Sequence, residues 1–147
     1  MPMRAAGLTA VIVLLVFAGG MAVGKSAQSD SPTADRPSRL AVLWTSGDPE
    51  LAHRMAFMYT HNAKRGGWFD EVLVIVWGPS AGLLAGDEDL QNRVRAMMDD
   101  GVMVQACVTC ADLYGVSDDL RALGIEVKPM GKPLSDMLQG DWEVLSL

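Results

Sequence analysis

Residues 72–77 read VLVIVW, and residues 78–82 continue as GPSAG. The run is unbroken by polar residues and rich in β-branched ones. It is too short for a core helix and lacks the alternation of a half-exposed strand. A strand covered on both faces fits it, and such strands belong to parallel sheets. The glycine and proline that follow turn the chain.

Working outward, Leu40–Trp44 (LAVLW) is a second short apolar run and a second strand. Asp48 then caps a helix with Pro49 at its first position, where a missing N–H costs nothing. Leu51, Met55 and Met58, with alanines between, carry helical spacing to about Lys64, and Gly66-Gly67 ends it. Asp87 caps another helix. Glu88 and Asp89 suit its dipole, Leu90, Val94 and Met97 form its inner stripe, and Gly101 closes it. Val102–Ala106 is a third strand. Ser117 caps a short helix over residues 118–123, closed by Gly124. Ile125–Val127 is a fourth strand, Pro133 opens a helix closed near Gly140, and Trp142–Leu147 is a last strand.

Strands alternating with helices predict an α/β domain over residues 39–147. It has three layers, a mainly parallel sheet of about five strands and helices on both faces. Neither a G-x-G-x-x-G after the first strand nor a P-loop is present. Sites in such sheets lie beyond the carboxyl ends of the strands. Three loops meet there by topology: Thr45-Ser46-Gly47, Gly78-Pro79-Ser80 and Cys107–Cys110. Trp44, Trp77 and Trp142 read as core, with Trp77 also a pocket or interface candidate. Met55, Met58, Met97, Met98 and Met103 read as core filler rather than a soft-metal site.

Cys107 and Cys110 are the chain's two cysteines. Cys107 follows a strand and precedes a helical stretch, where backbone N–H groups favour a thiolate. The nearest cations in sequence are Arg95 and Arg121, and His53 and His61 read as helix-surface residues. Four readings stay open on these residues alone: two small core residues, a dithiol redox pair, half a metal site, or a thiol carrier. Zinc needs two further ligands that the local sequence lacks, so no metal or cofactor is expected. Thr45, Ser46, Ser80 and backbone N–H groups are candidate donors to an anion there, and equally turn or cap residues.

The 147 residues are half hydrophobic and one-fifth charged, a globular composition with a formal net charge of −6. An acidic chain without a Lys/Arg cluster excludes nucleic acid as an expected partner. Residues 5–24 carry no charge, with Arg4 before them and Lys25 after. They read as a signal peptide cleaved after Gly24 or as an uncleaved membrane anchor, with a buried domain helix as the third reading. Residues 25–38 (KSAQSDSPTADRPS) read as a flexible linker. The domain is therefore expected to be exported: periplasmic, or held at the outer face of the cytoplasmic membrane through the N-terminal segment only.

Residues 106–116, ACVTCADLYGV, preceded by DDGVMV and followed by SDDLRALGIEVKPMG, resemble the DsrE/DsrF-like (DsrEFH, TusBCD-related) sulfur-relay superfamily. Residues 76–85, VWGPSAGLLA, and the first-strand loop are similar too, so the resemblance spans about residues 39–147. It implies a compact α/β fold assembled as trimers or hexamers. It also implies a persulfide carried on a strand-end cysteine eight residues before a Gly-Val pair. Cys107 and Gly115-Val116 have that spacing. Sulfur-donor and acceptor thiols are the implied partners. Two departures stand out. Cys110 occupies a place where relay members often have a small residue, and that thiol can attack a Cys107 persulfide. The relay members are also cytoplasmic, unlike a chain with an export segment.

Overall fold

The computed structural model describes residues 38–147. The expected signal or anchor, and all of the linker but Ser38, lie outside them. Five strands form one sheet: β1 (Arg39–Trp44), β2 (Glu71–Val76), β3 (Met103–Cys107), β4 (Glu126–Lys128) and β5 (Glu143–Ser146), in the order β4-β3-β2-β1-β5. Every pairing is parallel. The expected fold class is borne out. β2, whose apolar run announces the architecture, lies at the centre with five of its six residues buried.

The two faces are covered unequally. On the first, Leu40, Val42 and Trp44 of β1 and Val72, Val74 and Val76 of β2 pack against most of the helices. These are α2 (Phe57–Arg65), α3 (Pro79–Gly86), α4 (Glu88–Asp99), α5 (Val108–Leu113) and α6 (Ser117–Ala122). On the second, Ala41, Leu73, Ile75 and Cys107 meet Met130 and one helix, α7 (Gly131–Gln139). No residue of α7 is fully buried; Leu134 and Met137 lean on the sheet from it.

The first helical stretch departs from expectation. Asp48 caps it, accepting the Glu50 N–H at 2.9 Å, with Pro49 first. The three-residue turn α1 (Pro49–Leu51) then widens into a π-helical segment, Ala52–Ala56, before α2 begins. One extra residue in a turn rotates everything after it by about 100° relative to a regular α-helix. The buried side becomes Ala52, Ala56, Phe57, Thr60 and Ala63. Met55 and Met58 are 54% and 49% exposed, so they are not core, and neither is Met103 at 40%. Phe57 instead meets Trp44 edge-on, with ring centroids 4.9 Å apart.

Other boundaries differ as well. Helix α3 follows directly where only a turn was expected; its internal Gly82 and lack of a polar cap hide it in the sequence. Ser117 is the first residue of α6 and not its cap: Val116 is the cap, and the Ser117 hydroxyl donates to Asp112. Strands β3 and β4 each lie one residue further along than their apolar runs suggest. That single-residue shift decides what surrounds the cysteines.

Candidate functional site

Cys107 is both the last residue of β3 and the N-cap of α5. Side chains alternate along a strand, so Val104 and Ala106 join the first-face core while Cys107 faces the α7 side. There it is 5% exposed, among Ile75, Leu73, Ala41 and Met130, with Trp77 at the margin. Cys110, one helical turn on, is half-buried. Both cysteines are free thiols, and Cys110 packs against the cluster that holds Cys107.

Gly78 faces this pair from the end of β2. Its φ of +69° is a conformation that L side chains rarely adopt. The turn brings the Gly78 backbone to where it influences the Cys110 thiol. Burial pushes the Cys110 thiol above its ordinary pKa, the Gly78 backbone opposes this, and the neighbouring Cys107 thiol adds to the rise. Behind the loop, Gly82 leaves room for the Tyr114 ring: a Cβ there would lie 3.0 Å from the ring.

The other loop residues are engaged elsewhere. Ser80 is fully buried; its hydroxyl donates to the Trp44 carbonyl at 2.7 Å and accepts the Trp77 N–H at 3.0 Å. Thr45 donates through both its N–H and its hydroxyl to the Leu147 carbonyl, tying β1 to the end of β5. Ser46 accepts the Asp48 N–H in the turn before α1. Pro79 lies against the Gly47 backbone, where a Cβ would be 3.3 Å from its own. The three loops do meet. Gly78 reaches the thiols, while the hydroxyls of Thr45, Ser46 and Ser80 hold the loops in shape. Trp77 is half-buried beside Cys107's cluster, Trp142 lies under the Arg39 guanidinium, and Trp44 is fully buried with its indole N–H unpartnered. His61 pairs with Asp100 across α2 and α4, at 2.6 Å.

One charged residue near the thiols escaped the sequence reading. Lys128 ends β4 and is the register partner of Cys107. Partners across a parallel pair lie about 4.8 Å apart and share a face. The ammonium of Lys128 is bonded to Glu126 at 2.8 Å, and Glu126 also accepts the Gln105 amide at 2.9 Å. Gln105, Glu126 and Lys128 thus make a polar group beside Cys107. The sequence signal was the alternation in EVK: reading the strand one residue longer puts Lys128 on the cysteine's face. Among the described residues, no three His, Cys, Asp or Glu side chains gather as a metal site, and no helix is long and apolar enough to cross a membrane.

Among solved structures, BT1422 from Bacteroides thetaiotaomicron, a conserved protein of unknown function, is 34% identical to this chain. The match covers 75% of this chain and 95% of that one, with a TM-score of 0.72. The chain belongs to the family of BT1422. The ychN protein from E. coli shares the fold with BT1422 and this chain, at a TM-score of 0.58 and 15% identity over 74% of this chain and 98% of its own. Both neighbours have the DsrE-like fold, which supports the fold implied by the cysteine loop. No protein-family model and no curated protein matches the chain.

Proposed function

We propose that this chain is an exported DsrE-like protein that binds or transfers sulfane sulfur as a persulfide on Cys107, with Cys110 as the auxiliary thiol. The observation that carries the reading is the thiol pair itself: two free cysteines packed in one cluster at the carboxyl end of a parallel sheet, one buried and one half-buried. The Cys107 thiolate attacks the outer sulfur of a donor persulfide, R–S–SH. It becomes Cys107–S–SH and releases R–S⁻. Transfer to an acceptor thiolate is the same displacement in reverse roles. Alternatively, the Cys110 thiolate attacks the Cys107 sulfur and expels HS⁻. The sulfane sulfur is then reduced to sulfide, and the two thiols are oxidised to a Cys107–Cys110 disulfide. An external dithiol must reduce that disulfide before another cycle. The chemistry needs a thiolate that the donor can reach, and no metal or cofactor.

The packing of both thiols in one cluster also favours a second reading, a dithiol–disulfide module that exchanges electrons without sulfur. A third, an oligomeric binding domain with inert thiols, predicts slow alkylation of both cysteines. Loading the reduced protein with a persulfide donor and reading intact mass and released sulfide separates the three.

Export rests on the uncharged run at residues 5–24, and N-terminal sequencing of the mature protein tests it. Self-assembly into trimers or hexamers is part of the same proposal. In its favour, β5 leaves one sheet edge unpaired. Beside that edge, Arg54, Met55, Met58, Tyr59, Leu145 and Leu147 line an apolar recess of about 290 Å³.

A further inference from the structure

We propose that Lys128 is the cation that recruits negatively charged sulfur compounds to the Cys107–Cys110 pair, with Glu126 as the internal anion it leaves to do so. The proposal rests on the thiol-pair reading and names the substrate class: a small anionic donor, not a neutral one.

Three observations lead to it. Lys128 and Cys107 are register partners at the ends of adjacent strands, so the lysine stem starts beside the thiol. Helix α5, which carries Cys110, packs against β4 as well. The Lys128 side chain is one-third exposed, and its bond to Glu126 is a contact two residues apart on an edge strand. Exposed pairs of this kind are weak, and a lysine's flexible stem lets the ammonium swing to another anion. Glu126 does not lose all support when Lys128 leaves, because Gln105 still donates to it.

The surrounding charges make this lysine the local source of attraction. The chain is acidic overall and repels anions at long range. From α5, Asp112 is bonded to Ser117. From α7, Lys132 is paired with Asp136 on its own helix. From β4 come Glu126 and Lys128 themselves. Cys110 and the Gly78 backbone add neutral groups beside the thiol.

A charge-selectivity ratio tests this on the full-length reduced protein. Thiol reaction rates are measured with a dianionic reagent, dithiobis(nitrobenzoate), and a neutral one, dipyridyl disulfide. Both attack the same thiols, so their ratio cancels thiol ionisation and access and reports local charge. Lys128→Gln lowers the anionic-to-neutral ratio about three- to tenfold at low salt, Glu126→Gln raises it, and Lys128→Arg keeps it. Added salt compresses all three differences. Breaking a merely architectural ion pair from either side moves the ratio in one direction or not at all. A fall in Lys128→Gln together with a rise in Glu126→Gln supports the proposal; any other combination overturns it. Failure here with sulfur loading intact leaves the thiol-pair reading standing, whereas absent loading removes that reading whatever the ratio.

Discussion

The backbone of Gly78, just past β2, lowers the pKa of the Cys110 thiol in α5 against the effect of its burial. The placement of that backbone depends on a Gly78 conformation with φ +69° and ψ −134°. Gly78→Ala meets no steric clash, since nothing lies within 4 Å of the added Cβ. The penalty is conformational, about 1–3 kcal/mol. Urea unfolding of the reduced variant reads it. As the turn relaxes the thiol loses a backbone influence that favours its ionised form, so the pH profile of Cys110 alkylation moves up. Unchanged stability with an unchanged profile contradicts the role given to this glycine.

Cys110 also links stability to pH. Folding raises its thiol pKa above the ordinary value, chiefly by burial. The folded state therefore holds that proton more tightly than the unfolded chain does. This contribution is complete below the unfolded thiol pKa of about 8.5, and it is lost as pH rises through the higher folded value. The melting temperature of the reduced wild type falls more steeply above about pH 8.5 than that of Cys110→Ser. Parallel slopes in the two proteins contradict it.

The π-helical segment predicts an unequal pair of substitutions. Phe57→Ala removes a fully buried ring in contact with Trp44 and costs about 3–5 kcal/mol. Met55→Gln, on the exposed side, changes unfolding free energy by less than about 0.5 kcal/mol. Comparable losses in denaturant titration place Met55 in the core after all and contradict the rotated helix.

Assembly is read from light scattering. The assembly proposal predicts a wild-type mass of several chains, which Met58→Glu lowers without unfolding the domain, because Met58 is exposed beside the β5 edge. A wild-type mass equal to one chain contradicts self-assembly.

Much of this architecture is legible in the residues. VLVIVW has no polar position and so requires cover on both faces, which fixes the central strand and the parallel sheet. Cys107 at a strand end follows from VMVQAC and the helical stretch after it. Three features were hidden for physical reasons. A π-turn leaves no mark on composition, yet it rotates Met55 and Met58 away from the face that their spacing predicts. Helix α3 starts from a proline after a left-handed glycine and has no polar cap to announce it. The nearness of Lys128 to Cys107 depends on strand register, and slipping the pairing by one residue exchanges the strand's faces. The roles of Thr45, Ser46 and Ser80 were open between ligand donors and turn residues, and only their hydrogen-bond partners distinguish these.

The central claim is that Cys107 carries sulfane sulfur with Cys110 able to displace it. Intact mass after incubation of the reduced protein with a persulfide donor tests it most directly. The account predicts an adduct of about 32 Da, one sulfur atom, that persists in Cys110→Ser and is absent in Cys107→Ser. In the wild type it predicts decay of the adduct with release of sulfide and appearance of a disulfide. An adduct that persists in Cys107→Ser, or no adduct on any variant, contradicts the claim.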